Sequence, residues 1–518
     1  MVYLMGIDVA TSGVKTIIMT PDGAMVGEGF ETYPTSTPNP GWVEQDPHDW
    51  WRSTAASIRQ ALDGAGIDPG EIAGIGLSGQ MHGATFVDAD GNPLRPCLIW
   101  ADTRTGPQCE RLETLFGHDK LVELTCNPAL ASFTATKIMW VREHQPEIFA
   151  ATHKILLPKD YIRFRLTGAY ATELSDASGT SLLDVRNRRW SSPMLEGLGI
   201  PASMMPDVYE SSHVSGRISQ AAAAETGLAE GTPVVGGAGD VAAGAVGSGA
   251  TRSGIVTIIM GSGGVVFAGT DKVLTDKANA MQTCCHAVEN MWHVMGVMLS
   301  CSFSLRYFKE TFADVETAEA ERTGTNVYKL LDDQAATVPP GSEGLIFLPY
   351  LNGERTPHRD PYARGAFVGM TLRHKRPHYV RAVMEGVAYG LRDALEIVRE
   401  MGTDVAQVRA VGGGASSPLW RQILADTFGC PVATINITEA SALGVALLAG
   451  AGVGVYDSVQ DGCDRTIRLT STTEPIAANV GVYDGYYRRF RALYPALKPQ
   501  FRDLAEYTDQ VGNTQENA

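Results

Sequence analysis

YLMGIDVATSGVKTIIMT, residues 3–20, reads as two apolar β-strands folded back on a turn of small residues. Runs rich in Ile, Val and Met on either side of a Gly turn predict a hairpin. The hairpin ends its first strand on a carboxylate, Asp8, beside the turn DVATSG. An Asp there could hold a hydrated Mg²⁺ against phosphates, while the turn N–H groups, Thr11, Ser12 and Lys15 meet phosphate oxygens. The ordinary alternative is a turn Asp with no further role.

Working outward, the punctuation PDG and the strand-like AMVGEGFETY follow, then HDWWRSTAASIRQALDGAG with helical spacing, then the strand IAGIGLSG. Strands leading into helix–strand alternation predict an α/β protein. About 250 residues later, SGIVTIIMGSGGVVFAGT (residues 253–270) repeats the form of the opening hairpin, as two related domains would, each beginning with a turn suited to a phosphate. Further on, VRAVGGGASSPLWRQILADTFGCPV passes from a strand through Gly412, Gly413 and Gly414 into a helix capped by Ser416 or Ser417. Free N–H groups at that helix start let a ligand approach the backbone.

The chain's 518 residues exceed one ordinary core, and its 44% apolar and 19% charged content is that of a water-soluble globular protein. A formal charge of −16 excludes nucleic acid or an anionic membrane as the main partner, since both need a basic footprint. No leader-like segment and no membrane-length apolar run stands out, so the expected location is the cytoplasm. The eight cysteines show no CxxC pair and no framework spacing, and no disulfides are expected.

Three motifs invite other chemistry. GIGLSG fits G-x-G-x-x-G, but it leads into QMHGATFVDADGNPL rather than a helix, which argues against a dinucleotide site. TCCHAVENMWHVMG holds Cys284, Cys285, His286 and His293, but adjacent cysteines point to opposite faces of a strand and no second pair follows. No G-x-x-x-x-G-K-[ST] occurs, so a phosphate site here is not a P-loop. Two segments remain open: GQMHG puts Gln80 and His82 between glycines, and GGAGDVAAGAVG (residues 236–247) carries the lone carboxylate of Asp240. Asp240 could cap the helix that follows it or be aimed into a cleft as a base.

Together with GWVEQDPHDWW, GLSGQMHG, DASGT, LPYLNGERTPHRDPYARGAFVGMT and VGGGASSPLWRQILAD, these segments resemble, in order and over almost the whole chain, the FGGY carbohydrate kinases of the actin-like ATPase superfamily, and within them the xylulokinase branch. The resemblance implies two RNase H-like α/β domains of the actin/hexokinase/Hsp70 type flanking a deep catalytic cleft. It divides the chain into a sugar-binding domain (1–248), an ATP-binding domain (249–490), and a C-terminal helix and polar tail (491–518); from the residues themselves a linker is expected near 248–252 and a frayed polar end at EYTDQVGNTQENA. It makes Asp240 the catalytic base, held ionised by the helix dipole, and Met81 and His82 its sugar-contacting partners. Asp8 becomes the residue assisting Mg²⁺, Gly261, Ser262, Gly263 and Gly264 the phosphate contacts, and Gly413, Gly414 and Ser416 the neighbours of the nucleoside.

The implied reaction is ATP-dependent phosphorylation of a sugar hydroxyl, D-xylulose to D-xylulose 5-phosphate, by an enzyme that could be a homodimer. Another ketose or polyol, such as 1-deoxy-D-xylulose or ribulose, or a non-catalytic nucleotide switch on the same fold, are the alternatives. Glycerol fits less well, because glycerol kinases carry an Arg-Glu pair where this chain reads QMHG. One departure bears on the sugar: Val241 stands where many xylulokinases have Asn, and an apolar residue there is expected to relax selectivity toward a deoxy or epimeric ketose.

Overall fold

A computed structural model describes residues 1–276, 278 and 280–516, with side chains described as far as residue 508. The opening hairpin is β1 (Tyr3–Val9) and β2 (Gly13–Met19), antiparallel from Leu4↔Met19 to Val9↔Val14, and β3 (Met25–Thr32) pairs with β2. Helix α1 (Pro47–Ala65) starts where Asp46 accepts the N–H of His48 and Pro47 takes the first turn. It stops at Gly66, whose left-handed φ of 62° turns the chain out of the helix. Strand β4 (Ile72–Gly79) lies parallel to β1, and β5 (Val214–Arg217), β6 (Pro233–Val235) and the short β7 (Ala238–Gly239) complete the sheet. Its order is β5-β6-β4-β1-β2-β3, with β7 on β4. Helix α2 (Asp240–Gly247) leaves directly from β7.

The second sheet repeats this plan. Strands β8 (Ile255–Met260) and β9 (Gly264–Thr270) form the second hairpin, followed by β10 (Gln282–Cys285), β11 (Trp292–Met298), α3 (Ser302–Phe312), α4 (Val327–Ala335) and α5 (Arg376–Glu400). Then come β12 (Gln407–Val411), α6 (Pro418–Phe428), β13 (Val432–Ile435), α7 (Ala440–Gly452), β14 (Leu469–Thr473) and α8 (Ala477–Glu516). The order is β10-β11-β9-β8-β12-β13-β14. In both sheets a hairpin's first strand takes a parallel partner from later in the chain, the duplication its sequence suggested.

Each sheet has its own core, but the packing does not follow chain order. Met5, Ile7 and Val9 of β1 pack with Trp50 and Ile58 of α1, while Leu4 on the opposite face packs with Leu443, Ala446 and Leu447 of α7, a helix far along the second half. A side chain at Gly6 would overlap the Ala442 carbonyl and one at Gly76 the Val445 carbonyl. These glycines let α7 lie on the first sheet, which is the use found for one glycine of GIGLSG.

Two expectations need correction. Residues 248–252 are not a loose linker: Ser248, Ala250 and Thr251 are fully buried, and Arg409 Nη1 donates to the Ser248 carbonyl at 2.6 Å. The segment read as a frayed tail is helical as far as Glu516, within an α8 that begins at Ala477 and returns Tyr494 and Phe501 to the second core. Residues 517 and 518 of that tail lie outside the described part. Among the described residues no helix is long and apolar enough to cross a membrane.

Candidate active site

Strand alternation places Asp8 on the same face as Leu4 and Gly6, just beyond the start of α7. There it meets no hydrogen-bond donor at Oδ1, which is buried. Burial pushes its pKa up to about 6, against the Ser78 hydroxyl and with the help of the Glu439 carboxylate at the head of α7.

Asp240 is brought to the same place by β7. It is the first helical residue rather than the cap: Gly239 holds the cap position, and Asp240 Oδ1 accepts the Val241 N–H at 2.8 Å. Its carbonyl accepts the Ser441 hydroxyl of α7 at 3.2 Å, which ties α2 to the helix beside Asp8. Against the expectation that the helix dipole holds this group ionised, burial first and then the Asp8 charge, opposed by the Val241 N–H, raise its pKa to about 7.

Met81 and His82, the pair expected to contact the sugar, lie on the adjoining loop. Met81 packs where a Gly239 side chain would stand, so it borders Asp240. His82 adopts a left-handed φ of 68°, an unfavourable conformation for a residue with a side chain. Its carbonyl is held by the ammonium of fully buried Lys137 at 2.9 Å and by Thr134 Oγ1 at 3.2 Å. Its Nδ1 lies 2.8 Å from the Gly179 carbonyl and its ring stacks on Phe133. Burial, with Lys137 nearby, lowers its pKa to about 3, so the ring is neutral, Nδ1–H donates and Nε2 remains an acceptor.

Behind this loop a buried charge cluster fixes the strand ends: Lys159 Nζ lies 2.8, 3.4 and 3.2 Å from Asp160, Glu173 and Asp176. Ser175, bonded to Glu173, accepts the Gly239 N–H at 3.2 Å.

The other predicted residues divide. Thr11 Oγ1 accepts the Trp100 indole N–H at 2.9 Å and its carbonyl accepts Gln45, so the turn is braced, with Ser12 exposed at its tip. Lys15 is engaged by Glu28 of β3 at 2.8 Å rather than standing free for phosphate. On the second domain, Gly261, Ser262, Gly413, Gly414 and Ser416 line one cavity of about 900 Å³ with Phe303, Tyr328 and Trp420. Gly263 is exposed at the tip of the hairpin and Gly264 buried at its return.

A side chain at Gly414 would strike Ser302 Oγ, and Gly412 takes a φ of 91° against the Met260 carbonyl, so glycine is required for this close approach. Of the two candidate caps, Ser417 accepts the Trp420 N–H at 3.0 Å, while Ser416 turns back to the Gly413 carbonyl. The two groups of residues sit on opposite domains, and no hydrogen bond or ion pair joins them among the described residues.

Sequence reading missed several neighbours: Lys137, the Lys159 cluster, Glu439, and the cavity wall from Asn326 to Asp333. Only the helical period of α4 hinted at the last. Cys284, Cys285, His286 and His293 form parts of β10 and β11 and their connection, and no metal-holding group of three or more ligands occurs among the described residues. All eight cysteines are free thiols.

Comparison with known proteins agrees with this geometry. The N-terminal domain of the FGGY family of carbohydrate kinases matches residues 3–247 and the C-terminal domain residues 256–453. The chain is 38% identical to the xylulose kinase of Bacillus subtilis over 498 residues, 96% of this chain and 98% of that one. It is 38% identical to the xylulose kinase of Escherichia coli over 495 residues, 95% and 99% of the two chains. The crystal structure of xylulose kinase from Rhodospirillum rubrum, 30% identical, superimposes with a TM-score of 0.89 over 96% of this chain and all of that one. With both domains matched and near-full-length identity to xylulose kinases, the chain belongs to the FGGY family of carbohydrate kinases and is a sugar phosphotransferase.

Proposed function

We propose that the protein transfers the γ-phosphoryl group of ATP to the 5-hydroxyl of D-xylulose. The observation that carries this reading is the placing of Asp240 beside Met81, with His82 next in the same loop, on the first domain, together with a cavity built from Gly261, Ser262, Gly413, Gly414 and Ser416 on the second. Near-full-length similarity to xylulose kinases supports the choice of sugar. Asp240 uses Oδ1 to accept the Val241 N–H, which leaves Oδ2 to orient a sugar hydroxyl and take its proton. Phosphoryl transfer through a loose transition state requires that proton to leave late, so a base with a pKa near neutrality is adequate.

The nucleoside occupies the large cavity, and the phosphates run along the 261–264 turn toward Thr11 and Ser12. The buried, unpartnered Oδ1 of Asp8 fits a Mg²⁺ ion or its water shell. Bound there, the cation would offset phosphate charge and favour the ionised form of Asp8. Val241 has a packing role that accounts for its apolar side chain: it lies against the cluster of Phe267, Met295, Ala245 and Ala250. Packing thus accounts for Val241 without a role in sugar selection, and D-ribulose and 1-deoxy-D-xylulose are the competing sugars to be tested.

With this reading go a cytoplasmic location and the possibility of a homodimer, which light scattering would test. The deciding experiment is ADP release with a sugar panel, with the product identified by NMR. D-Xylulose 5-phosphate as the favoured product supports the proposal. ATP binding without turnover on any sugar would favour a nucleotide switch instead.

A further inference from the structure

Gln282 begins β10, the edge strand of the second sheet, and this edge is docked on the first domain. The Asn127 amide closes a pair of bonds with Thr283, at 2.7 Å to its carbonyl and 3.0 Å from its N–H, and Ser178 Oγ accepts the Cys285 N–H at 2.9 Å. The Gln282 side chain is therefore held where the two domains meet. It is 5% exposed, and neither its amide oxygen nor its nitrogen has a partner. An amide buried in this way costs about 1–3 kcal/mol, which calls for a reason.

Gln282 lines a crevice with Pro128 and Leu130 of the first domain and Arg355 and Thr356 of the second, enclosing about 10 Å³. That volume holds about one water-sized group. Thr356 is fixed by bonds to Ala280 and Val297, whereas the Arg355 guanidinium makes no hydrogen bond or ion pair among the described residues. Arg355 lies on the His82 side of the site, close enough to contribute to keeping that ring neutral. An amide offers both donors and an acceptor and a guanidinium only donors, a set matched by a hydroxyl group.

We propose that Gln282 and Arg355 form a second-domain subsite that binds a hydroxyl at the end of the sugar remote from the one phosphorylated. Met81 borders Asp240 and Arg355 lies near His82, so a sugar whose reacting hydroxyl meets Asp240 and whose chain passes His82 brings its other end to the crevice. The subsite rests on the D-xylulose reading, in which that remote group is the C1 hydroxyl. It also makes sugar selection depend on both domains.

The test compares kcat/KM for D-xylulose and 1-deoxy-D-xylulose in wild type, Gln282→Leu and Arg355→Met, together with the KM for ATP and the Tm. Wild type is expected to prefer D-xylulose by about tenfold or more. Gln282→Leu is expected to lose about tenfold on D-xylulose and less than about threefold on the deoxy sugar, with the KM for ATP unchanged and the Tm equal or higher. Gln282→Met serves where Leu perturbs folding. Equal losses on both sugars, or an unchanged ratio, would overturn the subsite. If wild type instead phosphorylates another sugar of the panel, the xylulose reading falls. The subsite then stands if Gln282→Leu raises the KM for that sugar and falls if it does not.

Discussion

At the scale of the residue, the site is a matter of two carboxylates placed too close to be comfortable. Burial raises the pKa of both, Asp240 to about 7 with the Asp8 charge adding to it and Asp8 to about 6 with the Glu439 charge adding to it. Replacing Asp240 by Asn is expected to leave folding and nucleotide binding intact and to lower sugar-dependent turnover by about 10²- to 10⁴-fold, as measured by coupled ADP release. The same substitution has a stability signature in the protein free of metal and nucleotide. Because the folded pKa of Asp240 stands above its unfolded value of 3.8, its contribution to stability is complete below that value and is lost as pH rises through about 7. The Tm of Asp240→Asn relative to wild type should therefore rise by about 2 °C or more between pH 5 and pH 8. An unchanged difference across that range would mean that Asp240 titrates normally.

At the scale of the element, helix α7 decides the geometry. Its Gly444 faces α2 so closely that a side chain would fall 1.9 Å from the Ala243 carbonyl, and a side chain at Gly247 of α2 would strike Ala440 in return. Gly444→Val must separate the two helices, and with them Asp240 from Asp8. It is expected to cost about 1–3 kcal/mol in urea unfolding and to reduce kcat more than the KM for ATP. Gly481→Ala, on a glycine of α8 with open space around it, is the control: it should leave kcat and the KM for ATP unchanged and raise stability by up to about 1 kcal/mol through helix propensity. The hairpins, α1 and the glycine-to-helix passage at residues 411–418 were legible in the sequence, because local periodicity and turn chemistry fix them. The partner of α7 was not: SALGVALLAGAG is apolar all round, and such a helix says only that it is buried, not against which sheet.

At the scale of the whole molecule, the proposed base and sugar loop stand on one domain and the glycine-lined cavity proposed for the nucleotide on the other, so in that reading transfer requires the domains to approach and exclude water. Addition of sugar and a non-hydrolysable ATP analogue together should reduce the radius of gyration in solution scattering, and a value unchanged at saturation would refute closure. The sequence alone determined the duplicated hairpins, the glycine-rich approach to a helix and the candidacy of Asp8, His82 and Asp240, each a local pattern set by neighbours within a few residues. The candidacy of Met81 and the role of base for Asp240 came from the resemblance to the family. Only the tertiary structure decided that Asp240 sits beside Asp8 and is harder to ionise, that Lys15 belongs to Glu28, that Lys137 holds His82, and that Gln282 reaches the domain junction. Those outcomes depend on burial and on fields between groups tens to hundreds of residues apart in the chain, and no local pattern carries that information.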